Sequence, residues 1–368
     1  MMRAPRLTLA AAARLAIVLL AGALLVLPMP SAWVERFYSS KVYLALQRGL
    51  TSLANRAPIA WFDLLLVLAF AWLVWRWSRR LRGRRLAGAG DRWRAIGLGC
   101  IDSLVVASLL YVWFVSTWGL NYRREPLHTR LDFDRARVTR ESVGETARQA
   151  VDELNRLYPL TTTQPWLGLD DLRTALDGPF ASVQRALGQQ VVAVGGRPKA
   201  TLLGLYFRWA AIDGMTDPFF LETLVNQEVL PVERPFIVAH EWGHLAGYAH
   251  EAEANYLGWL ICQAGPPQAQ YSGWLALYWH LVNSLPADQR RALDSRLTAG
   301  PREDLRAIAQ RYYRSAPKVR VTAWAVYDRF LKANRVAEGI ASYDGVVSLL
   351  VGTRYSSAWA PILRASRP

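Results

Sequence analysis

Residues 236–256 read FIVAHEWGHLAGYAHEAEANY, and this stretch decides how the rest of the chain is read. His240 and His244 stand four positions apart. On an α-helix that spacing sets both imidazoles on one face, one turn apart, as two ligands of a single metal ion require. Glu241 follows His240 directly, so its carboxylate leans toward the same edge. There it can take a proton from water that such an ion activates. The chain has five histidines, and three of them (His240, His244 and His250) fall within this stretch. Phe236-Ile237-Val238-Ala239 gives the helix an apolar approach, and Gly247 supplies a stop three residues after His244.

The string matches the HExxH pattern of zinc hydrolases. A catalytic zinc takes three protein ligands, and two readings of the third compete. HEWGHLAGYAH fits HExxHxxGxxH literally, which makes His250 the ligand. In the other reading a glutamate on the next helix binds the ion, and a polar side chain four residues later hydrogen-bonds the first histidine. Glu251 with Asn255 has that arrangement. Glu253 is a third choice; it stands about 200° round a helix from Glu251, so both cannot face one ion. Trp242 and Leu245 point elsewhere on the helix and read as packing residues.

These residues resemble an uncharacterised bacterial family of membrane-anchored, zincin-like proteins, domain of unknown function 3810. The likeness runs from Trp118-Gly119-Leu120-Asn121-Tyr122, through Asp217-Pro218-Phe219 and HEWGHLAGYAHEAEANYLG, to Glu338-Gly339-Ile340-Ala341-Ser342-Tyr343. The family's pattern is similar to HExxHxxGxxxExEAN, in which position 250 need not be histidine. The resemblance therefore implies His240, His244 and Glu251 as ligands with Asn255 orienting, ahead of His250 and then Glu253. It implies a gluzincin-like metallopeptidase site with a Zn2+ cofactor and supplies no substrate.

Hydrophobic residues make up 52% of the 368, high for a chain wholly in water. The net charge of +15 is unevenly spread: residues 1–120 hold 15 Lys and Arg against 4 Asp and Glu, and residues 121–368 hold 29 against 25. The excess sits beside apolar runs, and no base-reading motif is present, so no nucleic-acid partner is expected. Three transmembrane helices are expected at about 15–34, 58–75 and 95–118. The first could instead be a cleaved signal peptide, but its apolar run is long for one. The basic run Arg76 to Arg85 reads as a cytoplasmic loop, which sends the third span outward. Asp102, inside that span, reads as a functional candidate or, equally, as a partner of Arg92 or Arg94. Residues 35–57 read as a short connecting loop with an interfacial helix at Tyr43 to Leu46. Cys100 and Cys262 are not expected to pair.

The expected fold is mainly α: a membrane region (1–120) with three N-terminal transmembrane helices, then a zincin-like α+β extracytoplasmic domain (121–368) with a small sheet before the active-site helix. Amphipathic spacing predicts a helix over Arg140 to Leu157, and another over Leu169 to Leu187 interrupted at Gly178-Pro179. Short strands are expected from Lys199 to Ile212 and from Met215 to Asn226, joined at Asp213-Gly214. Further helices are expected at 251–264, 271–285, 288–297, 303–313 and 321–332. Glu222 reads as a cleft-lining or solvated strand residue. Tyr343 and His280 are candidate donors to a transition state, with packing roles as the plainer reading.

The function expected from the residues is zinc-dependent peptide hydrolysis at a membrane surface, which the resemblance implies is a bacterial plasma membrane. Glu241 is the general base, and the partners are the lipid bilayer and a peptide or protein substrate. The alternative is a non-catalytic zinc-binding membrane protein, structural or peptide-sensing. An intramembrane protease is disfavoured, because Glu233, Arg234, Glu251 and Glu253 leave no apolar run of membrane length around the motif.

Overall fold

The computed structural model describes residues 9–82, 89–334, 336, 345–356 and 359–364. The chain starts with α1 (Leu9–Val26), the short α2 (Ser31–Trp33), a π-helical stretch (Val34–Val42) and α3 (Tyr43–Ala54). Two long helices follow, α4 (Trp61–Arg82) and α5 (Ala89–Thr117). α1, α4 and α5 are long and apolar enough to cross a membrane, and their apolar side chains are mostly left uncovered by protein. Such a surface suits lipid rather than water.

Asp102, buried midway along α5, holds the three together. It accepts hydrogen bonds from Arg76 and Arg80 of α4, and Arg14 of α1 lies 3.4 Å away. Of the expected partners, the side chain of Arg92 lies outside the described residues, and Arg94 lies N-terminal on the same helix, about 12 Å along its axis, too far to reach back. The antiparallel neighbour α4 instead brings its own arginines level with Asp102.

The segment between α1 and α4 is no short loop. Tyr43, Leu44, Gln47, Thr51 and Ala54 recur at helical spacing and are all buried, Tyr43 and Leu44 in the same core as the later helices. The Tyr43 hydroxyl donates to the carbonyl of Leu245 at 3.0 Å, and Thr51 donates to that of Leu221 at 2.8 Å. The part of the protein outside the spans therefore starts well before residue 121.

After α5 come α6 (Arg140–Thr161), α7 (Leu169–Ala186), β1 (Pro198–Lys199), α8 (Gly204–Ala210), β2 (Gly214–Thr216) and β3 (Thr223–Val225). Then follow α9 (Arg234–Leu245), α10 (Glu251–Gln263), α11 (Pro267–Asn283), α12 (Ala287–Arg296), α13 (Ala299–Tyr313), α14 (Pro317–Ala333) and α15 (Gly345–Gly352). α7 runs through Pro179 without a break. Its buried face of Leu172, Leu176, Phe180 and Val183 offsets the hydrogen bond that proline removes.

The sheet is smaller than the sequence suggests. Its order is β1-β3-β2, with β1 parallel and β2 antiparallel to β3. Gly204–Ala210, expected as strand, is helical: Phe207 and Ala210 turn inward one helical turn apart, and Ala211 closes the helix in the left-handed region at φ 54°. Packing on α14 overrides the β-preference of its aromatic residues.

The sheet is bolted to the first turn of α4 and the last turns of α5. Glu222, neither solvated nor in a cleft, is buried and accepts from the backbone N–H groups of Trp61 and Phe62, the first residues of α4. Lys199 donates to the same carboxylate at 2.6 Å. Asp217 accepts from the N–H groups of Phe219 and Phe220, shaping the turn whose rings pack on Phe62 and Trp113.

Candidate metal centre

α9 carries His240, Glu241 and His244. It ends where Gly247, at φ 85°, donates to the His244 carbonyl and Tyr248 donates to that of Gly243. This paired closure needs a left-handed residue, which glycine supplies. α10 then starts at Glu251 and returns across α9. Two glycines set how closely the helices approach. A Cβ on Gly243 would lie 3.1 Å from the carbonyl oxygen of Ala254, and one on Gly258 would lie 3.0 Å from the backbone nitrogen and Cα of His240.

The approach brings Glu251 Oε2 to 3.4 Å from His240 Nε2 and 3.6 Å from His244 Nε2. Among the described residues, His240, His244 and Glu251 form the one group of three such side chains able to share an ion, with ligand atoms within 4.8 Å of one another. A tetrahedral zinc with bonds of about 2.0–2.1 Å spaces its ligands about 3.4 Å apart, so the donor set fits one. Glu251 Oε2 is also buried with no hydrogen-bond partner, a costly state for a carboxylate oxygen that a cation would relieve. His244 Nδ1 lies 2.8 Å from the Tyr248 carbonyl, which holds the proton on that nitrogen and turns Nε2 toward the cluster.

The charges are tightly coupled. Burial opposes the ionised form of Glu251, but the imidazoles beside it, His244 foremost, outweigh burial and hold the carboxyl well below its usual range. Burial likewise opposes a charged His244, yet Glu251 raises it to about 9. Burial pushes the Glu241 carboxyl up, against the pull of both histidines. A carboxylate of raised basicity is suited to accept a proton. The Thr216 hydroxyl lies 2.9 Å from Glu241 Oε2, and Gly214 leaves room for the same carboxylate, since a Cβ there would come within 2.7 Å of Oε1.

The other sequence candidates lie elsewhere. His250 occupies the N-cap position of α10, and its ring meets Tyr122 edge-on, outside the group. Glu253 faces away and accepts from the Leu127 N–H at 2.6 Å. Asn255 is buried but makes no hydrogen bond to His240 Nδ1: Asn255 Nδ2 and His240 Nδ1 are both without a partner. His280 is half-buried on α11 and is not part of the group. Tyr343 lies outside the described residues. Trp242 and Leu245 are fully buried, as packing residues should be.

Two contributors were not evident in the sequence. Thr216 lies directly before the Asp217-Pro218-Phe219 turn, and nothing in its neighbourhood marks it as a partner of Glu241. The hydroxyl of Tyr327, on α14, donates to Glu251 Oε1. That leaves Oε2 as the oxygen facing the histidines.

No curated protein and no solved structure matches the chain. A family model does, over residues 38–351, from the π-helical stretch to α15. The chain belongs to the family described as Protein of unknown function (DUF3810).

Proposed function

We propose that the protein is a membrane-anchored, zinc-dependent metallopeptidase with a zincin-like site. The observation that carries this reading is the Glu251 carboxylate set between two imidazoles at 3.4 and 3.6 Å, beside a buried Glu241 that is not itself in the ligand group. A purely structural site has no use for that second carboxylate.

His240, His244 and Glu251 would hold the ion. When bound, it supplies Lewis acidity, lowering the pKa of water and polarising a carbonyl. Glu241, fixed by Thr216, would accept a proton from the attacking water and return it to the leaving amine. β2 lies at the edge of its sheet, next to α9. An extended peptide can add to such an edge as a further strand. The basic run Arg76 to Arg85, which starts in the last turns of α4, favours an extracytoplasmic domain.

The test uses the full chain in detergent, with metal analysis and cleavage of a mixed peptide pool. Glu241→Gln is expected to keep zinc and lose cleavage. A wild-type protein that binds no divalent metal, or a Glu241→Gln variant that cleaves as well as wild type, overturns the reading.

A further inference from the structure

α8 and α14 present apolar side chains that no part of the described protein covers. On α8 these are Leu205, Tyr206 and Trp209, each more than two-fifths exposed. On α14 they are Val321 at 66% and Trp324 at 46% exposure, three residues apart on one side of the helix, and only Leu331 of that helix is buried. The two helices pack on each other, and the Ala316 N–H donates to the Trp209 carbonyl. Together they form an apolar surface of a kind that proteins in water avoid.

Two contacts fix the height of this surface relative to the spans. Asp63, in the first turn of α4, accepts from the Thr201 hydroxyl at 2.6 Å and the Leu202 N–H at 2.8 Å, just before α8 begins. Phe330 of α14 packs its ring on Phe114, in the last turn of α5, with centroids 5.9 Å apart. Both helices therefore sit where α4 and α5 leave the membrane, and their exposed faces continue the apolar surface of the spans. α14 carries four basic residues against one acidic, and Lys318 and Arg329 are exposed. Apolar side chains flanked by cations are how a helix lies in the headgroup region of an anionic leaflet.

We propose that α8 and α14 are seated in the bilayer leaflet from which the domain emerges. α14 is also the helix whose Tyr327 reaches Glu251, so the candidate metal centre is held directly over the lipid surface. On the metallopeptidase reading, on which this consequence rests, the substrate is a peptide segment lying at or emerging from the same leaflet.

The test is independent of metal and activity. In a Cys100→Ser background of the full chain, in which Cys262 is buried, single cysteines replace Leu205, Trp209, Val321 or Trp324. Each is labelled with an environment-sensitive fluorophore in phosphatidylcholine–phosphatidylglycerol vesicles; Arg291→Cys, on exposed α12, is the reference. The four test sites are expected to lose most of their emission to nitroxide-labelled lipid and little to aqueous iodide, with the reference showing the reverse. Iodide quenching equal to the reference overturns the proposal. So does protection from both quenchers, which would mean that protein, a partner or a second copy, covers this face.

Discussion

Gly258 stands so close to His240 that a single methyl group on it would come within 3.0 Å of the histidine's backbone nitrogen and Cα. The atoms met are helix backbone, which cannot swing aside. Gly258→Ala is therefore expected to push α10 off α9 and widen the gap between Glu251 and the histidines. Overpacking of this kind costs about 1–3 kcal/mol. Thermal unfolding and zinc content of the full chain check it: both should fall, whereas Gly97→Ala, with open space around it, should change neither.

Tyr327 holds the Glu251 oxygen that faces away from the histidines. Tyr327→Phe removes one hydroxyl and leaves the ring that stacks on Phe330. Loss of a partner of a metal ligand typically weakens metal affinity by about 10–100-fold. A competitive chelator titration should show that loss at nearly unchanged melting temperature. Unchanged affinity would mean that packing alone orients Glu251.

Asp217 offers a pH test away from the ligands. Burial pushes its carboxyl up to about 7, against the two backbone N–H groups it accepts from. A folded-state value above the unfolded one means that the folded protein binds the extra proton between about pH 4 and 7. Stability from this group is therefore present at low pH and lost as pH rises through that window. Asp217→Asn removes the slope, so the variant should gain on wild type from pH 5 to pH 8, by at most about 3 kcal/mol at about 1.4 kcal/mol per unit. A pH-independent difference in melting temperature contradicts the assignment.

Lys199 and Glu222 form a buried pair at the top of α4. Lys199→Met strands a buried carboxylate and should cost about 3–5 kcal/mol. Adding Glu222→Gln, which keeps an acceptor for the first amides of α4, should recover much of the loss. Additive losses in the double variant would show that the pair is not coupled.

The parts of the fold legible in the sequence are those with a short repeat. The three apolar spans stand out by length, and α9 with Glu251 follows from residues at most eleven apart. Contacts that cross the chain were hidden. Thr216 meets Glu241 across 25 positions, Tyr327 meets Glu251 across 76, and Tyr43 meets Leu245 across 202. The segment 35–57 read as a loop because it lies between two spans, yet its buried face is set by helices two hundred residues later. α8 read as strand because aromatic residues favour strands, and only its packing on α14 decides otherwise.

Zinc content of the purified full chain, compared between Glu251→Ala, His250→Ala and Glu253→Gln, bears most directly on the candidate centre. Glu251→Ala should bind no zinc while the other two retain it at wild-type stoichiometry. Full zinc in Glu251→Ala, or its loss in His250→Ala with the fold intact, contradicts the ligand set of His240, His244 and Glu251.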